Sequence, residues 1–104
     1  MIDIAAIIPA LNPRDKLIDL VNELFECGIE KVIVVNDGSD ERFDHLFEAV
    51  EKIEGCHVLR HERNMGKGRA LKTAFAYFLD NFPNLSGVVT ADADGQHCCE
   101  DICN

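Results

Sequence analysis

The chain has 104 residues, 47% apolar, 28% charged and 7% aromatic, with 10 basic against 19 acidic side chains and a formal net charge of −9. This is the composition of one small globular domain, not of a disordered segment, and the acidic balance argues against a nucleic-acid partner or a membrane-surface binder, either of which needs a basic face. No apolar run approaches the roughly 18 residues of a membrane span, and Met1-Ile2-Asp3 lacks the basic start of a signal peptide. Five cysteines (Cys27, Cys56, Cys98, Cys99 and Cys103) form an odd set without framework spacing. They read as free thiols in a reducing compartment, which makes a cytoplasmic location the expectation.

Ile4-Ala5-Ala6-Ile7-Ile8 opens the chain as a strand covered on both faces. Asn12-Pro13 then reads as an N-cap followed by proline at the first helical position, with Asp15 in the first turn. Leu17, Leu20, Val21, Leu24 and Phe25 stripe that helix, and Gly28 stands where a C′ glycine belongs. Val32 to Val35 is a second buried strand, closed by Asn36-Asp37-Gly38-Ser39-Asp40, in which Ser39 or Asp40 is placed to cap the next helix. Phe43, Leu46, Phe47 and Val50 mark that second helix, which Glu54-Gly55 terminates, and Cys56 to Leu59 is a shorter strand. Gly66 and Gly68 open a third helix, striped by Leu71, Ala74, Phe75, Phe78 and Leu79. A fourth strand, Leu85 to Ala91, runs into Asp92-Ala93-Asp94-Gly95.

The resulting order is β-α-β-α-β-α-β, which right-handed crossovers turn into an open, mainly parallel Rossmann-like sheet with helices on both faces. In such sheets ligands sit beyond the carboxyl ends of the strands. Those ends carry Pro9 to Asn12, Asn36 to Asp40, Arg60 to Gly68, and Asp92 to Gln96.

Three constellations fall on that edge. Asp92 and Asp94, one residue apart, present two carboxylates to one side of an extended chain, and Gln96 adds an oxygen. Such a pair leaves most of an octahedral shell open, which suits Mg²⁺ or Mn²⁺, although an ordinary acidic turn has the same composition. Thr at the first position and Asp at the twelfth make a poor EF-hand. The segment Arg60 to Lys72 holds five of the ten basic residues and one acid, locally +4, between a stretch of −8 before it and −5 after it. With its glycines and a helix N-terminus it makes a phosphate cradle, against the blander reading of cations paired with an acidic surface. Gly68 stands where a Walker A loop needs Ser or Thr. Asp37, at a strand's carboxyl end, is placed to reach a base or ribose. Together these residues describe a nucleoside diphosphate site. His97, Cys98, Cys99 and Cys103 lack the CxxC spacing of a zinc site, and His45, His57 and His61 read as surface or packing residues.

The stretches Ile7-Ile8-Pro9-Ala10-Leu11-Asn12, Val34 to Asp40, Asn64-Met65-Gly66-Lys67-Gly68 with Ala70, and Ala91 to His97 resemble, in order and spacing, the N-terminal half of a family 2 glycosyltransferase of GT-A fold. The branch containing dolichyl-phosphate mannosyltransferase and undecaprenyl-phosphate sugar transferases is the most similar. Residues 1–104 are then the nucleotide-sugar-binding half of a domain about twice as long, with the acceptor half and any general base beyond Asn104. The resemblance implies that Pro9, Asn12, Asp37, Asn64, Gly66, Lys67 and Asp92 bind the nucleotide-sugar, with Asp37 on the base. It makes Asp94 the main ligand of Mg²⁺ or Mn²⁺, with Asp92 near it and Gln96 a helper. The donor implied is UDP-glucose, another UDP-hexose or GDP-mannose, and the acceptor a lipid phosphate or glycan, with inversion at the anomeric carbon. Membrane association of the longer protein, and self-association of this piece through an exposed sheet edge, are further expectations. Pro13 and Asn36 depart from the family, which commonly has acidic residues at both positions. Two other classes compete: a sugar-nucleotide nucleotidyltransferase, whose basic glycine loop should follow the first strand, and a non-catalytic nucleotide-binding or interaction domain.

Overall fold

Apolar runs too short for helices and too continuous for a half-exposed sheet become the central strands. A computed structural model describes residues 2–13 and 16–91 of the chain. The elements are β1 (Ile2–Ala10), α1 (Lys16–Glu26), β2 (Ile29–Asp37), a 3-10 turn (Glu41–Phe43), α2 (Asp44–Glu51), β3 (Cys56–His61), α3 (Lys67–Asn81) and β4 (Gly87–Thr90). All pairs are parallel and the strand order is β3-β2-β1-β4. Among the described strands β4 and β3 lie at the two edges of the sheet.

Alternation along β1 divides the core. Ala6, Ile8 and Ala10 join Val32 and Val34 beneath Leu17, Leu20, Val21 and Leu24 of α1 and Leu46, Phe47 and Val50 of α2. Ala5, Ile7, Ile33 and Val35 face Ala70, Ala74 and Phe78 of α3 on the other side. Reversal of strand order after β3 puts α3 on the face opposite α1 and α2, since each crossover keeps its right hand. β1, β2 and β3 run longer than their apolar segments, β2 and β3 ending on the polar residues Asp37 and His61, whereas β4 (Gly87–Thr90) is shorter than the expected Leu85 to Ala91.

Two helices differ from expectation. Asn12 does not cap α1, which starts at Lys16; Asn12 takes a left-handed backbone (φ 49°) and turns its side chain to the neighbouring loop. The apolar stripe of α3 is narrower than its sequence suggests. Ala70, Ala74 and Phe78 are buried, whereas Phe75 and Leu79 are 46% and 57% exposed. The small alanines bring α3 close to β1 and β2, so a narrow seam is covered and residues about a quarter-turn round face outward. Gly28 does end α1, with φ 94° and its amide on the Phe25 carbonyl at 3.0 Å. Cys56 is free and buried, its thiol pushed up to about 12 by burial and by the negative charge of Glu51. Cys27 is disulfide-bonded, which departs from the expectation that all five thiols are free.

Candidate functional site

The point where strand order reverses lies between β1 and β4, and an open α/β sheet places its ligand crevice there. The β1–β4 register runs from Ile4↔Gly87 to Ile7↔Thr90, after which the Ala91 amide donates to the Ile7 carbonyl at 3.0 Å. Two residues further on, Pro9 presents the same side of β1 toward β4 and has no N–H to offer. Among the described residues the ladder ends there, with Pro9 and buried Ala91 at the crevice mouth. Asp92, Asp94 and Gln96 follow in sequence and lie outside the described residues. Among the described residues no group of three His, Cys, Asp or Glu is arranged to hold a metal.

The loops after β1 and β2 are clipped together by side chains. The Asn12 amide donates to Ser39 Oγ at 2.8 Å, and the Asp40 amide donates to Asn12 Oδ1 at 2.9 Å. Buried Asn36 accepts the Ser39 amide at 2.9 Å, and Asp40 caps the 3-10 turn through the Arg42 amide at 3.1 Å. Asp40 thus caps the 3-10 turn ahead of α2, not α2 itself, whose N-cap Phe43 makes no side-chain cap bond, and Asn12 belongs to the rim of the site instead of a helix start.

The loop between β3 and α3 lies on the β2 loop. Gly38 has φ 75°, and a Cβ there would overlap the backbone of Arg63 and Asn64. Only glycine permits both the turn and the approach. Asp37, 4% exposed, then gathers the incoming loop: its Oδ1 accepts the Met65 amide at 3.0 Å and its Oδ2 the Gly66 amide at 3.1 Å. His61 Nδ1 lies 2.8 Å from the same Oδ1, and His61 Nε2 lies 2.9 Å from Thr73 Oγ1 on α3. Burial alone raises the Asp37 pKa, but the His61 bond, the two amides and the charge of His61 together hold it below its ordinary value. The ionised carboxylate offers about four lone-pair directions, of which three are filled, so one remains for a ligand N–H.

His61 and Thr73 were not legible as site residues. The signal lay in register: Asp37 pairs with His61 across β2 and β3, which puts both side chains at the same strand end. His57, read as a packing residue, does pack, its ring 5.1 Å from Phe82 and 5.8 Å from Tyr77.

Beyond Asp37 lies an open pocket of about 640 Å³ lined by Arg63, Asn64, Met65, Gly68, Arg69 and Lys72. Three cations and no acid surround it. Asn64 shapes its floor by accepting the Gly66 amide at 2.9 Å, and Gly66 (φ 94°) precedes α3, whose first residue is Lys67. The expected site residues Pro9, Asn12, Asp37, Asn64, Gly66 and Lys67 therefore share the carboxyl edge of the sheet.

Comparison with known proteins agrees with this arrangement. The profile of "Glycosyl transferase family 2" matches residues 5–102. The chain is 33% identical over 100 residues to protein MJ1222 of Methanocaldococcus jannaschii, covering 96% of this chain and 39% of that protein. It is 29% identical over 112 residues to the UDP-N-acetylglucosamine–dolichyl-phosphate N-acetylglucosaminyltransferase of Methanococcus voltae, covering 92% and 43%. A dolichyl-phosphate beta-glucosyltransferase of Trichomonas vaginalis is 28% identical over 103 residues, covering 88% and 30%. The chain thus spans at most about two-fifths of the length of these relatives. The crystal structure of S. aureus TarS 1-349 superposes with a TM-score of 0.60 at 20% identity, covering 97% of this chain and 30% of that one, and shares its fold. On the family match over nearly its whole length, the chain belongs to glycosyl transferase family 2.

Proposed function

We propose that residues 1–104 form the nucleotide-sugar-binding half of a glycosyltransferase domain, taking a UDP- or GDP-sugar. The observation that carries this reading is the convergence, on one sheet edge, of the Asn12–Asp40 clip, the Asp37-anchored loop and the cation-lined pocket. In this reading Asp37 accepts from the base with its remaining lone pair, while Pro9, Asn12, Asn64, Gly66, Lys67 and Asp92 line the nucleotide. The pocket cations offset the charge of the diphosphate in a protein that is otherwise acidic.

Asp92, Asp94 and Gln96 are the proposed holders of Mg²⁺ or Mn²⁺. When bound, such a cation stabilises negative charge on the departing nucleoside diphosphate. The acceptor proposed is a lipid phosphate or a glycan, with inversion at the anomeric carbon; two relatives carry dolichyl-phosphate in their names. A phosphate acceptor needs little help from a general base, since it is already ionised. A lipid acceptor also makes the cytoplasmic face of a membrane the proposed place of action.

Titration calorimetry of the chain with UDP-sugars and GDP-mannose, with and without Mn²⁺, tests the reading. Saturable binding that strengthens with Mn²⁺ and weakens in Asp94→Asn is expected. Equal binding by the variant with metal present would remove Asp94 from the site, and absence of binding by every donor would overturn the reading.

A further inference from the structure

We propose that His61 is a positioning residue: by holding Asp37 it fixes the Met65–Gly66 backbone at the mouth of the donor site. This rests on the donor-binding reading above and adds to it a second tier of residues that touch no ligand.

The chemistry of the contacts assigns the protons. An ionised carboxylate only accepts, so the His61 nitrogen 2.8 Å from Asp37 Oδ1 must be the protonated one, and Nδ1 donates. Nε2 pairs with the Thr73 hydroxyl at 2.9 Å, a group that accepts from a protonated ring nitrogen and donates to an unprotonated one. The chain Thr73–His61–Asp37 is complete, with every polar atom matched. It adds a side-chain tie, at the carboxyl end of the sheet, between three elements already paired or packed together: the end of β2, the end of β3 and the second turn of α3.

The consequence falls on the loop. Oδ1 accepts both His61 and the Met65 amide, while Oδ2 accepts the Gly66 amide, so the plane of the carboxylate decides where that backbone sits. Without His61 only the two loop amides hold the carboxylate against rotation about its χ2 torsion, which is broad for aspartate. Gly66 offers no stiffness of its own, since its φ of 94° is reached freely by glycine and a Cβ there would touch nothing within 4 Å. The backbone position is therefore imposed by side chains: the Gly66 amide is shared between Asp37 and Asn64, while the Met65 amide rests on the carboxylate that His61 holds. Asn64, Met65 and Gly68 line the cationic pocket on either side of this anchor, so its geometry follows the same bond.

Two near-isosteric substitutions separate positioning from mere packing. In His61→Asn the side-chain amide nitrogen stands close to where Nδ1 was and keeps the bond to Asp37. In His61→Gln it stands close to where Nε2 was and keeps only Thr73. Amide hydrogen exchange of Met65 and Gly66, read by NMR on the 104-residue chain, is the first measurement. Both amides are expected to be protected in wild type and His61→Asn, and to exchange at least about tenfold faster in His61→Gln. UDP and GDP affinity, measured on the same samples, should fall about tenfold in His61→Gln and less than about threefold in His61→Asn. Equal loss in both variants would reduce His61 to packing and overturn the proposal. Unchanged protection in His61→Gln would overturn it as well. Should wild type bind neither nucleotide, the donor reading fails, whereas the exchange comparison still decides whether His61 anchors the loop.

Discussion

The side chain of Asn12 and the amide of Asp40 meet at 2.9 Å across 28 positions of sequence, while the Asn12 amide reaches back to Ser39. This reciprocal pair joins the loops after β1 and β2, and it depends on a left-handed backbone at Asn12 that most residues resist. Asn12→Ala should therefore cost about 2 kcal/mol, part from the lost acceptor and part from φ > 0. Asn12→Gly should cost about half of that, because it keeps the conformation and loses only the bond. Urea midpoints of the two variants check the order.

Glycines 38 and 68 respond in opposite ways to the same methyl group. Gly38→Ala combines a left-handed φ with backbone overlap against Arg63 and Asn64, and should destabilise by on the order of 3 kcal/mol. Gly68 is helical with open space around its Cα, so Gly68→Ala should stabilise by about 0.5–1 kcal/mol. Equilibrium unfolding of both proteins tests the contrast, and comparable losses would contradict it.

Asp37 makes stability depend on acidity. Its folded pKa lies below the ordinary 3.8, so its contribution is complete above that value and is lost as pH falls through the folded one. Asp37→Asn should lose about 2 kcal/mol near pH 6, since its NH₂ group replaces one of the two oxygens and cannot accept the loop amide that oxygen held. The difference from wild type should close below about pH 3.8, and unfolding free energies measured between pH 2 and 6 would show it.

His57 predicts a second, separate dependence. Burial, helped by the nearby Lys31 charge, lowers its pKa from 6.5, and its buried Nε2 has no hydrogen-bond partner among the described residues. The unfolded chain binds this proton more readily than the folded one. Stability should thus be full above about pH 6.5 and decline as pH falls below it. His57→Phe should flatten that part of the profile whatever its absolute stability; an unchanged slope between pH 5 and 7 would exclude His57 as the source.

The element order and the parallel, right-handed sheet were legible in the sequence because four apolar runs alternate with three 3.6-period stripes, whereas the spatial order of the strands comes from the structure. The motif positions on one edge followed from the same reasoning. Contacts between loops were not legible. The Asn-Pro pair at 12 and 13 carries the composition of a helix start, yet the Asn12 side chain bonds a loop 28 residues away, which no local rule encodes. His61 was overlooked for a similar reason: its partners, Asp37 and Thr73, are 24 and 12 residues distant. Phe75 and Leu79 continue a helical stripe by periodicity, but the close seat of Ala70 and Ala74 on the sheet decides how wide the buried seam is.

The order β3-β2-β1-β4 also bears on how the crevice comes into being. β1, β2 and β3 follow one another in the chain and lie side by side, whereas β4 must return to β1; the Ser86 hydroxyl bonds Asp3 across 83 positions. A chain leaving the ribosome from its N-terminus has the first three strands available for pairing well before the fourth emerges. Of the described strands, the one that walls the crevice beside β1 is therefore the last to emerge. Until then the nascent chain exposes one long side of β1, and early occupancy of that side by another strand would be the principal hazard in making this protein.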